Sequence, residues 1–146
     1  MAMRALLLTK KIKIVPEFEE DKMREMSEEE RERYYREECA EIFARPLTHT
    51  ELSQVKALEA PVIQEGKFSS PNMAAAMCLA CKFAMTGWRN IIGENGEPVD
   101  FKGEKDANDV ITGATDDDVN ALIHSVRQDV YRDVKKASEL GDQDFG

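Results

Sequence analysis

Residues 70–88 read Ser70-Pro-Asn-Met-Ala-Ala-Ala-Met-Cys-Leu-Ala-Cys-Lys-Phe-Ala-Met-Thr-Gly-Trp88. Lys82 is the only charge between Met73 and Trp88. Ser70 followed by Pro71 is a helix start, a cap residue and then a proline where the missing N–H loses no bond. A segment that is apolar on nearly every side must be enclosed by its neighbours. The pattern predicts a helix over 73–88, closed by Gly87 and Trp88, at the centre of a small, mainly α domain.

Downstream of that helix, Asn95-Gly96 is a turn signal flanked by Ile91, Ile92, Val99 and Phe101, so a β-hairpin is expected around residues 91–101. Residues 102–114 are polar, with one helical turn near 107–111. Thr115-Asp-Asp-Asp118 then opens the last helix, its acids placed at the positive end. Val119, Leu122, Ile123, Val126, Val130, Val134 and Ala137 follow at spacings of three and four, an amphipathic stripe that faces the core. Gly141 ends this helix, and residues 141–146 are expected to form a loose tail.

Upstream, 61–70 read as a loop. Thr48 and Glu51 make a capping box for a helix over 50–58 that points Leu52, Val55 and Leu58 inward. Arg45-Pro46 breaks the chain before it. Ser27 and Glu30 suggest another box and a helix over 28–43 that carries Tyr34, Tyr35, Cys39, Ile42 and Phe43 on one face. Lys11-Ile-Lys-Ile14 alternates with period two up to Pro16, predicting a short edge strand guarded by lysines. The chain thus reads as a single domain over 1–146. It has a strand region at 1–16, an acidic helical segment at 17–43 and a helical core with its hairpin at 44–140.

Composition narrows the function. The net charge is −9, and between Glu17 and Glu41 twelve acids face five bases. Nucleic-acid binding needs Lys and Arg to neutralise phosphates, so neither nucleic acid nor an anionic membrane is an expected partner. No apolar run reaches the roughly 18 residues of a spanning helix, and the opening Leu6–Leu8 run is short for a signal peptide. A cytoplasmic protein is expected. Three cysteines, Cys39, Cys78 and Cys81, fit reduced thiols.

Motifs of chemistry are scarce. Cys78-Leu-Ala-Cys81 lies about two turns inside an apolar helix, away from the helix N-terminus that activates a redox thiol. It supplies two of the four ligands of a structural zinc site. Core cysteines are the plainer reading, with redox or metal roles as lesser alternatives. His49 and His124 match no ligand spacing, and His124 is expected at the core edge. Asp116–Asp118 lack the alternation of a calcium loop and read as helix capping. No catalytic residues, metal or cofactor are expected. Met73, Met77 and Met85 with Phe83 and Trp88 fit ordinary core, or else a plastic groove for a partner helix.

Two segments carry a resemblance. They are Phe43-Ala-Arg-Pro-Leu-Thr-His-Thr-Glu-Leu52 and Met85-Thr-Gly-Trp-Arg-Asn-Ile-Ile-Gly-Glu-Asn-Gly-Glu-Pro-Val-Asp-Phe101. Over residues 41–140 the chain resembles small morphogenesis proteins of tailed phages, a group that includes tail assembly chaperones. In that group an R-x-L-T-x-x-E-like lead-in precedes one helix. A Gly-Trp turn closes a second, and an amphipathic C-terminal helix follows. The acidic stretch 17–41 lies outside that pattern. The resemblance implies a non-catalytic protein of the host cytoplasm that binds the apolar tape measure protein until tail subunits polymerise around it. Trp88, Phe101, Met77, Phe83, Val126 and Val130 are the expected partner-binding residues. A structural virion component, a head–tail connector or tail completion protein, is one alternative. A host-directed acidic interaction protein is another, and an enzyme a third. The oligomeric state is left open.

Overall fold

The computed structural model describes residues 11–64, 66–69 and 72–143. Ser70 and Pro71, expected to start the central helix, lie outside these residues. The helix, α4 (Met73–Ala84), is capped instead by Asn72, whose side chain accepts the backbone N–H of Ala75 at 3.1 Å. Its inner face is built from small residues. Ala76, Ala80, Cys81 and Ala84 are fully buried, which lets α3 (His49–Glu59) and α6 (His124–Gln143) pack against it.

The molecule is mixed α/β rather than mainly α. Among the described residues there are six helices and a three-stranded antiparallel sheet in the order β1 (Ile12–Ile14), β2 (Glu41–Ala44), β5 (Met85–Arg89). Two of these strands replace expected helix. The helix placed over 28–43 is α2 (Glu28–Glu37), and the chain then enters β2. The helix placed over 73–88 stops at Ala84 and becomes β5 with no residue between. Both ends are settled by long-range partners. Ile42 pairs with Ile14 on one side and Trp88 on the other, and Ile14 and Ile42 are fully buried. The last carbonyls of α4, which a helix leaves without internal donors, also find partners in other elements. Lys82 O accepts the Ala114 N–H at 2.7 Å, and Ala84 O accepts the Arg45 N–H at 2.9 Å. Gly113 makes the first bond reachable, since a Cβ there would lie 2.6 Å from Lys82 O.

The other differences are local. The expected loop 61–70 contains a hairpin, β3 (Val62–Gln64) with β4 (Lys67–Ser69). The helical turn expected near 107–111 is the tip of another, β6 (Glu104–Lys105) with β7 (Ile111–Gly113), where Asp106 accepts the N–H groups of Asn108 and Val110. The hairpin expected at 91–101 is only a tight loop. Gly96 takes the turn with φ +79°, but Ile92 and Pro98 make a single bridge rather than paired strands, closed by the Val99 N–H on Ile91 O at 2.8 Å and the Gly93 N–H on Glu97 O at 2.9 Å.

The last helix is divided into α5 (Asp116–Asn120) and α6, and it runs through Gly141 to Gln143 rather than ending at the glycine. Residues 144–146 of the expected tail lie outside the described residues. Val119, Leu122, Val126, Val130 and Val134 are buried as the stripe requires. Ile123 is not, and Ser138 rather than Ala137 continues the buried face. The Ser138 hydroxyl accepts the Leu47 N–H at 2.8 Å. The capping box of Thr48 and Glu51 is complete, whereas Ser27 accepts from Glu30 without the reciprocal bond. β1 is an edge strand with Lys13 turned outward. No helix among the described residues is long and apolar enough to cross a membrane.

Candidate functional site

Three large apolar side chains far apart in sequence stand open to solvent around one groove. Phe18 is 49% exposed, Ile92 57% and Ile123 62%. The groove encloses about 300 Å³. Ala40, Ile91, Leu122 and Val126 contribute further apolar lining, and Glu19, Tyr34, Glu38, Asn90 and Ala121 complete it.

Ile123 and Ile92 sit beside local irregularities of the chain. Ile123 sits at the break between α5 and α6. There the Arg127 side chain donates to the carbonyls of Val119 at 3.1 Å and Leu122 at 2.9 Å. The Val119 carbonyl also accepts the Leu122 N–H at 3.2 Å, so the chain turns tightly between the two helices. The helical phase slips at this point, so Leu122 stays buried while Ile123 faces water. Ile92 follows Asn90, which has φ +57°, a left-handed geometry that asparagine tolerates. The Asn90 amide donates to Cys39 O at 3.0 Å. Phe18 belongs to α1 (Glu17–Arg24), which with α2 forms an acidic arm walling the groove on one side.

The arm is held by directed polar bonds. The carboxylate of Glu19 is buried, and it accepts the Tyr34 hydroxyl at 2.7 Å and the Ala40 N–H at 2.6 Å. Glu41, also buried, accepts from the Tyr35 hydroxyl and from Arg89 at 3.2 Å. Arg89 donates in turn to the carbonyls of Tyr35 and Arg36. Asp129 of α6 accepts the Glu17 N–H at 2.9 Å. Burial, then the bond to Glu19, pushes the Tyr34 hydroxyl above its usual range. For Tyr35 the bond to Glu41 comes first and burial second.

Of the residues expected to bind a partner, only Val126 lines the groove, and it is itself buried. Met77 and Val130 are core. Phe83 is half-buried against the core. Trp88 and Phe101 fasten the 90–101 loop: the indole donates to Val99 O at 2.7 Å, and the rings meet edge to face at 5.1 Å. Met85 is buried, and of the methionines on α4 only Met73 is exposed. Sequence reasoning missed Phe18 and Ile92 and placed Ile123 inside. An apolar residue within a charged run, Phe18 in Glu17-Phe-Glu-Glu20, was the available signal.

Two of the three thiols, Cys39 and Cys81, are buried and poorly suited to nucleophilic chemistry. Burial, reinforced by Glu19, pushes Cys39 up to about 12, and burial does the same to Cys81. A thiol so displaced is protonated and a weak nucleophile at neutral pH. Cys78 is partly exposed beside a second hollow of about 510 Å³ that also touches Lys82 and Asp116, and those two pair at 3.1 Å. No cluster of three metal-ligating side chains occurs among the described residues. His124 opens α6 on the surface rather than at the core edge.

Within Asp116–Asp118, Asp118 both caps and anchors. Its buried carboxylate accepts the N–H groups of Lys102 at 2.9 Å, Gly103 at 2.8 Å and Thr115 at 2.9 Å. Burial raises its pKa, but these bonds outweigh burial and hold it below the usual value.

No protein-family model, curated protein or solved structure matches the chain at significance. The likeness to small phage proteins therefore rests on the two sequence segments alone.

Proposed function

We propose that this chain is a non-catalytic protein-binding protein, a phage tail assembly chaperone that shelters an apolar stretch of tape measure protein in the host cytoplasm. The observation that carries the binding half of this reading is the groove between the arm and the α5–α6 break. Monomeric proteins seldom expose several large apolar side chains around one concavity unless something docks there. The chaperone half is supported by the two segments at 43–52 and 85–101. An acidic, charge-rich exterior suits a protein that keeps an aggregation-prone partner in solution.

The test is co-expression with the tape measure protein of the same phage. The soluble yield of the partner should rise and a complex should co-purify. The complex should be lost in a Phe18→Ser/Ile123→Ser variant whose circular dichroism is unchanged. Purified particles should lack the chain. An unaltered partner yield with no complex would end the chaperone reading, and presence in particles would replace it with a virion component.

A further inference from the structure

The two sides of the groove differ in chemistry, and the difference specifies what fits between them. One side, formed by Asn90–Ile92 and by Ala121–Ile123 with Val126, carries no charge. The other is the arm. Eleven acidic and five basic residues between Glu17 and Glu38 concentrate six of the nine net negative charges of the chain there. Glu38, on the groove wall, is exposed. Resting on the reading of this groove as the docking site, we propose that its occupant is a basic amphipathic helix. Leucine-like side chains of the helix would meet Phe18, Ile92 and Ile123, and its lysines or arginines would lie along the arm.

The geometry favours this occupant over a second copy of the chain. A second copy carries the same net charge of −9, and bringing surfaces of like charge together across an interface is unfavourable. The groove volume of about 300 Å³ is at the small end for a binding cavity. It accommodates a few anchor side chains rather than a whole chain segment, which is how a helix presents residues at i, i+3 or i+4 and i+7. Opposite charge along the arm would steer the encounter and fix the direction in which the helix lies.

The probes are two synthetic helices of about 15 residues with leucine at those spacings. One carries lysine at the remaining positions and the other glutamate, and both are followed by fluorescence anisotropy against the full chain. The lysine helix should bind at least about tenfold more tightly than the glutamate helix, and should weaken as salt is raised. Ile123→Ser, with Ile92→Ser as an independent second variant, should weaken it by about tenfold. Exposed Glu20 lies on the arm and Glu38 on the groove wall, and Glu20→Gln/Glu38→Gln should weaken binding of the lysine helix severalfold and flatten its salt dependence. Glu104→Gln/Asp109→Asn, an equal charge change away from both arm and groove, should not.

Equal binding of both helices, lost in Ile123→Ser, would keep the groove as a docking site and overturn the basic occupant. Indifference to both isoleucine substitutions, or equal effects of the two carboxylate pairs, would mean attraction by bulk charge and overturn the groove with it. A dimer in sedimentation equilibrium that Ile123→Ser dissolves would assign the face to a second copy. Failure of the lysine helix to bind at all would also overturn the proposal.

Discussion

The α4-centred body and the α1–α2 arm are held by different physics. Around α4, alanines and Cys81 let α3, α6 and β7 come close, and cohesion comes from apolar area removed from water. The arm buries one large apolar residue, Met23, and no residue of α2 is buried. It is held instead by carboxylates placed where backbone N–H groups and tyrosine hydroxyls need acceptors. Area is forgiving, because many contacts share the load. A few directed bonds are not, since removing one leaves a buried group without a partner. The body is therefore expected to unfold as a unit while the arm can loosen separately.

The largest expected effect tests the body. Ile42→Ala removes a fully buried side chain paired with Ile14 and Trp88. It should lower unfolding stability by about 2–5 kcal/mol, read as a drop in the urea midpoint with arm and body lost together. A smaller loss confined to the sheet would show that the core is less continuous than described.

The next tests the arm. Glu19→Ala strips the acceptors from the Ala40 N–H and the Tyr34 hydroxyl and should cost about 1–3 kcal/mol. Hydrogen exchange should quicken across 17–38 while amides of α4 keep their protection. Equal loss of protection in both regions would erase the distinction between them.

A third, smaller effect concerns pH and the body's own polar anchors. Bonds from Arg45 and Thr48 outweigh burial at Glu51 and hold its pKa below the usual value, as the three backbone N–H groups do at Asp118. A carboxylate with a lowered folded pKa stabilises the protein above its unfolded pKa, and that contribution disappears as pH falls through the folded value. Stability should hold from neutral pH down to about 5 and decline below about 4. Asp118→Asn should cost about 1 kcal/mol at neutral pH and lose less on acidification. An undiminished acid response in that variant would shift the cause to other carboxylates.

Ile123→Ser should change stability least, by less than about 0.5 kcal/mol, because its side chain already faces water. A thermal melt checks this. A large loss would mean that the residue supports the α5–α6 break rather than the groove.

Much of this was legible where the cause was local. The capping box of Thr48 and Glu51, the edge strand with its lysines, the turn at Gly96 and most of the 119–134 stripe follow from neighbouring residues. What could not be read depended on distant partners. Ile42-Phe43 fits a helical face as well as a strand until Ile14 and Trp88 lie on either side of it. Met85–Trp88 reads as the close of the apolar helix until β2 is there to bond it. The groove was hidden for a similar reason, since Phe18, Ile92 and Ile123 belong together only after folding. The rule that apolar residues at spacings of three and four face inward fails at Ile123 because α5 ends before it and α6 begins after it.

The direct passage from Ala84 to Met85 leaves no slack between a segment that repeats every 3.6 residues and one that repeats every two. One extra residue there would swing the helix by about 100° relative to the strand, or else send Trp88 and its neighbours to the opposite sheet face. Length variation among relatives of this chain should therefore gather at the tips near residues 66 and 95, while the helix–strand seam keeps its spacing.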